Sequence, residues 1–123
     1  MIVGRKLWVI AEGYIPGQST HPEDRRLVSH ETACLLNAGD SEAQISIFVY
    51  FSDREPIGPY RAVVPPRRTL HLRLSELTDP APIPPDTDYA SVIISSVPVV
   101  VQHTRLDSRE SALALMTTMA YAE

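Results

Sequence analysis

The densest run of chemically capable side chains is His103-Thr104-Arg105-Leu106-Asp107-Ser108-Arg109, with Gln102 just before it. Guanidiniums fork onto carboxylate or phosphate oxygens, and imidazole and carboxylate groups hydrogen-bond hydroxyls. The run therefore carries the groups that hold a sugar or a carboxylate at a strand exit, where binding residues often sit. The alternative is a loop that satisfies its own backbone and starts the next element.

A second concentration is one of charge. Arg61, Arg67, Arg68 and Arg73 lie in a stretch without an acid, followed by Glu76, Asp79, Asp86 and Asp88 in a stretch without a base. The basic run is either an anion site or a solvated sheet face, with the acidic loop folded over it as ion-pair partner. His30-Glu31-Thr32 interrupts an otherwise apolar segment. Buried charged groups need partners, so these residues pair within the core or line a pocket. Adjacent strand residues point to opposite faces, so His30 and Glu31 cannot serve one site.

The classes of chemistry that need a fixed spacing are missing. The four histidines (His21, His30, His71, His103) never show the spacing of a zinc motif, and the lone Cys34 excludes a cysteine-based metal site and an internal disulfide. Cys34 lies between apolar neighbours and is expected in the core. There is no strand–Gly-x-Ser-x-Gly–helix elbow and no glycine-rich phosphate loop. The expectation is a non-enzymatic protein with no metal and no cofactor. Trp8 is expected in the core, with a sugar-stacking role as its alternative.

These side chains must be positioned by short elements. The chain has 123 residues, of which 44% are hydrophobic, and its charges sum to −4. That length suits one domain spanning residues 1–123. Eleven prolines argue against a bundle of long helices. Strands are expected at Leu7–Ala11, Leu27–Leu36, Ala43–Phe51, Tyr60–Val64, Arg68–Leu74, Ala90–Ser96 and Val99–Thr104, the last two hinged at Pro98. Gly39 is expected to supply a positive φ in the turn after the second strand. Residues 75–79 suit one helical turn. Ser111–Ala122 has both helical composition and strand periodicity; we take it as a strand, which makes about eight.

The fold class is therefore all-β: an antiparallel sandwich or barrel-like domain. Its expected core holds Ile45, Ile47, Val49, Leu70, Leu72, Leu74, Ile93, Val99 and Val101. Phe48 and Tyr50 fall on the opposite face of their strand, where exposed aromatics suggest contact with another chain. The apolar stretch after Arg5 and Lys6 stops at Glu12, too short for a signal-peptide core, and Val92–Val101 is broken by Ser95, Ser96 and Pro98. A soluble cytoplasmic protein without membrane insertion is the expectation.

Several longer strings carry a resemblance. They are Ala11-Glu12-Gly13-Tyr14-Ile15-Pro16, Ser29-His30-Glu31-Thr32, Leu36-Asn37-Ala38-Gly39-Asp40, Glu55-Pro56-Ile57-Gly58-Pro59-Tyr60-Arg61, the proline-rich 79–88 stretch and Val99 through Arg109. Together they resemble the sensory rhodopsin transducer family over about residues 4–122. The resemblance implies a cytoplasmic sandwich-like domain that assembles as a homotetramer and couples to a membrane photoreceptor. It also implies small-molecule binding, with sugars proposed for the wider family, and possible DNA binding. No catalytic set carries over.

The matched polar positions Trp8, Glu12, His30, Glu31, Arg61, Arg68, Gln102, His103, Arg105, Asp107 and Arg109 are the binding-site candidates. Arg61 and Arg68 flank the rigid Pro65-Pro66 pair. They are expected to converge with the 102–109 run on one pocket for an anionic or polyhydroxylated molecule. The alternative function is a DNA-binding regulator that uses the Arg61–Arg73 run, although the acidic net charge does not by itself favour it.

Overall fold

The structure is a computed structural model and describes residues 2–123. It is all-β, with eight strands: β1 (Arg5–Gly13), β2 (His30–Asn37), β3 (Ala43–Phe51), β4 (Ile57–Val64), β5 (Arg68–Arg73), β6 (Tyr89–Asp107), β7 (Ala114–Met119) and β8 (Tyr121–Ala122). A single 3-10 turn, Leu74–Glu76, follows β5, where a helical turn was expected a residue later. All the pairings are antiparallel, and the sheet does not close into a barrel.

The organising element is β6. The sequence suggests two strands hinged at Pro98; the structure has one strand of 19 residues. Its N-terminal half pairs with β3 and β1, and its C-terminal half with β2 and β7. Pairing with β3 reaches Ser95, and pairing with β2 begins at Val100. Proline has no N–H to donate, so the ladder changes partners around Pro98 while the chain stays extended. The sheet thus has two halves joined through β6, β4-β3-β6-β1-β8 and β5-β2-β6-β7. Both halves contribute to one core cluster, Ile45, Ile47 and Val49 from one and Ala33, Leu35 and Val101 from the other. This is the sandwich expected from the alternation of the strands.

Ile45, Ile47, Val49, Leu74, Ile93, Val99 and Val101 are buried as expected. Leu70 and Leu72 are only half-buried. Their strand β5 pairs with β2 alone, so one side of it stays open to water. Trp8 is a core residue, and its indole N–H reaches the carbonyls of Arg5 and Val99, both at 3.0 Å. Cys34 is half-buried on the outer face instead of in the core.

Two local expectations are corrected. β2 starts at His30, not Leu27, because Asp24 captures the preceding chain: its carbonyl accepts from the N–H groups of Leu27 and Val28, and its carboxylate from that of Arg26. Gly39 does not adopt a positive φ. The buried Asn37 side chain shapes that turn, accepting from Gly39 N–H and donating to the carbonyls of Ser41, Val64 and Pro65. The C-terminal segment is extended, as expected, forming β7 and β8, and its Leu113, Leu115, Met119 and Tyr121 side chains are exposed. No helix among the described residues is long and apolar enough to cross a membrane.

Candidate functional site

Strand parity decides which polar groups enter the molecule. On β2, Glu31 shares the inward face with Ala33 and Leu35; on β6, His103 and Arg105 share it with Val99 and Val101. Glu31 lies opposite Arg105 in the β2–β6 ladder, and Ala33 opposite His103. The result is a carboxylate with no solvent exposure beside a histidine that is 2% exposed.

Glu31 is densely satisfied. It accepts hydrogen bonds from His103 Nε2, from the Tyr14 backbone N–H and, at 3.0 Å, from the Tyr89 hydroxyl. The Arg105 guanidinium lies 3.5 Å away and donates at 2.6 and 2.8 Å to Glu12, whose carboxylate faces solvent. Burial alone would push the Glu31 carboxyl up. The hydrogen bonds from His103 and the Tyr14 N–H, with the charges of His103 and Arg105, outweigh it and hold Glu31 below the ordinary carboxylate value. Burial and the neighbouring Glu31 push the Tyr89 hydroxyl strongly up, so it remains a donor. Tyr89 precedes Arg105 by sixteen positions on one strand, yet both reach Glu31. The fold-over of β6 brings its two ends together here.

Outside this cluster runs a groove of about 770 Å³ between β1 and the β7–β8 segment. Its polar end is Glu12, His103 and Arg105; the rest is largely apolar, with Val9, Ile10, Met116, Met119 and Tyr121. Arg105 Nε is buried without a hydrogen-bond partner among the described residues.

Of the candidates read from the sequence, the structure brings Glu31, His103 and Arg105 together, with Glu12. Trp8 is committed to the core and offers no ring face to the groove. His30 faces outward, its Nδ1 on the Val28 carbonyl at 2.7 Å, on the opposite side of β2 from Glu31. Gln102 also faces outward and bonds Thr117 across the β6–β7 pair. Asp107 and Arg109 pair with each other at 2.7 Å, and Asp107 caps the Arg109 N–H, so these two stabilise their own turn.

Arg61 lines a separate notch with Gly58, Pro59 and the 76–80 segment, and Arg68 is exposed on β5, donating to the neighbouring Arg67 carbonyl. The two arginines therefore do not converge with Arg105. The acidic run does fold back in part: Glu76 pairs with Arg25 and approaches Arg73, whereas Asp86 accepts from Gly17 N–H and the Tyr14 hydroxyl.

Tyr89 and Arg25 carry no site signal in the sequence. Tyr89 has the inward parity of Ile93 and Val101, but nothing local shows that its strand doubles over. Arg25 precedes β2 in an irregular loop and has no periodic signal.

The family model described as Anabaena sensory rhodopsin transducer matches residues 3–122. A solved structure of the Anabaena sensory rhodopsin transducer is 59% identical, with 85% of this chain and 99% of that one covered and a TM-score of 0.74. A crystal structure of Thermotoga maritima 1070 is 38% identical, with 98% and 96% covered and a TM-score of 0.86. No curated protein matches the sequence. The likeness spans both halves of the folded sheet and almost every residue of the chain, which belongs to the sensory rhodopsin transducer family.

Proposed function

We propose that this protein is a non-enzymatic signal-transducing module that binds a small polyhydroxylated molecule in the groove between β1 and β7. Family membership supports the transducer role. The observation that carries the ligand reading is the Arg105 guanidinium, clamped between exposed Glu12 and buried Glu31 at the polar end of a groove with apolar walls. The residue types in the 102–109 run also suit an anionic ligand. Charge balance disfavours it at this position: the Glu12 and Glu31 carboxylates already match the cationic groups of Arg105 and His103 beside them, so an added anion meets no net positive field. Hydroxyls fit better, because Glu12 accepts from them and His103 and Arg105 sit alongside, while Met116, Met119 and Tyr121 offer apolar surface to a ring face.

The test is a titration with neutral monosaccharides and polyols, read at the methyl resonances of Met116 and Met119. Saturable shifts are expected, weakened about tenfold or more in Arg105→Ala. No shift with any polyol, or unchanged binding in the variant, would overturn the ligand reading.

The transducer role also calls for a partner. A sensory rhodopsin, the membrane photoreceptor in the relative's name, is the partner we propose for this chain. A homo-oligomer, four copies by family resemblance, is proposed as its assembled state. Its support is an apolar outer face on the β4-β3-β6-β1 half, where Tyr50, Val63 and Ile94 are exposed and Phe48 stands opposite Val92. Light scattering should return about four times the 13.6 kDa chain mass; a monomer at micromolar concentration would refute the assembly. The DNA-binding alternative has less support, since Arg67 already faces Asp40 at 3.6 Å and the chain's charges sum to −4.

A further inference from the structure

The outer face of the β5-β2-β6-β7 half is polar around β2, whereas the other half exposes Tyr50, Val63 and Ile94. Alternation places His30, Thr32 and Cys34 of β2 on it, with His71 and Arg73 of β5 and Thr104 of β6. Thr32 is directly opposite Arg73, and Cys34 directly opposite His71. With Arg25 from the preceding loop, these residues line a concavity of about 380 Å³. It lies on the other side of β2 from Glu31 and shares no residue with the Arg105 groove.

Its charges do not balance. Glu76 is the one acid paired to it among the described residues, and Arg25 occupies both of its oxygens, in a fork with two 2.7 Å hydrogen bonds. Arg73 is left 3.9 Å from that carboxylate. Its side chain is only 12% exposed, and its one hydrogen-bond acceptor among the described residues is the Arg25 carbonyl, at 2.7 Å. Two guanidiniums and one carboxylate leave one net positive charge, with the His30 and His71 imidazoles and the Thr32 and Thr104 hydroxyls around it. A half-buried cation whose remaining donors lack protein acceptors is an anion receptor in waiting.

We propose that this concavity is a binding site for a small oxyanion, a phosphoryl or carboxylate group, with Arg73 as its principal ligand and His30 and Thr32 beside it. The site goes beyond the proposed sugar groove and stands or falls independently of it. Arg25 has a double part: it contributes positive charge, and by forking onto Glu76 it holds that carboxylate back at 3.9 Å from Arg73, where it weakens the positive field without cancelling it. His30 is a built-in reporter. Burial lowers its imidazole below the ordinary value, and the nearby Arg73 and Arg25 charges lower it further; Glu76 opposes them. A bound anion would cancel part of that field and move the His30 titration upward.

The experiment is an NMR titration of the imidazole resonances with inorganic phosphate, and separately with acetate, against sodium chloride at equal ionic strength. Saturable shifts at His30 and His71 are expected, with a rise in the His30 midpoint; the stronger of the two anions identifies the group the site prefers. Arg73→Gln should weaken binding about tenfold or more. Glu76→Gln, an exposed position safe for folding, should tighten it several-fold by removing the competing carboxylate. Arg68→Gln, on the same strand but outside the concavity, should leave it unchanged. Shifts that chloride reproduces in full, or a Glu76→Gln protein that binds phosphate no better than wild type, would overturn the proposal.

Discussion

Glu31→Ala is expected to cost about 3–5 kcal/mol of stability, enough to unfold a marginal domain. The carboxylate has no solvent exposure, and its removal strands His103, the Tyr89 hydroxyl and the Tyr14 N–H, and leaves Arg105 with Glu12 alone. Breaking a buried pair is costly because the surviving groups stay desolvated without partners. Glu31→Gln keeps an acceptor for Tyr89 and Tyr14 and removes the charge, so its loss should be smaller.

The same residue sets a pH dependence. Its carboxyl is held below the ordinary value of 4.5 in the folded protein and returns to that value on unfolding. The stability it contributes is present above the unfolded value and disappears as the pH falls through the lower folded one. Urea melts from pH 7 downward should show wild type losing stability below about pH 5 more steeply than Glu31→Gln. Parallel pH profiles for the two proteins would show that Glu31 is not held in its charged form by this cluster.

Leu35→Ala is expected to cost about 2–5 kcal/mol, against about 1–2 kcal/mol for Leu72→Ala. Both leucines fall on strands expected from the sequence, and only Leu72 stands out there as a core residue. Leu35 lies on β2 between β5 and β6 and has no solvent exposure. Leu72 lies on β5, which has a neighbour on one side only, and is half-buried. A cavity made at Leu35 is closed off from solvent, whereas the space left at Leu72 opens partly to it. Denaturant melts of the two variants should separate them; equal losses would mean that β5 is covered in solution, by another copy of the chain or by a partner.

Where the alternation is clean, local residue order was enough for the strands and their faces. The alternation in 43–51 places Ile45, Ile47 and Val49 inside, and the same rule separates His30 from Glu31, because side-chain direction in a strand depends only on parity. The prolines and the missing catalytic spacings excluded helical bundles and the familiar hydrolase and nucleotide loops. The strings shared with the transducer family identified it before any coordinates, since such matches depend on residue order alone.

What residue order could not determine is which inward-facing groups meet. Arg61, Arg68 and the 102–109 run looked like one pocket because they are polar and lie near strand ends. In the folded chain, Arg61 turns to a separate notch, Asp107 and Arg109 close on each other, and Arg105 finds Glu12 and Glu31 instead. That outcome depends on β6 running on through Pro98 and folding over, so that Tyr89 and Arg105 arrive at one carboxylate. It depends too on which strands are left as edges, which is why Leu72 is half-buried and the groove beside β7 stays open. Strand pairing and sheet folding are non-local: they bring together residues far apart in the chain through the burial of a shared core, and no periodicity within one segment encodes that choice.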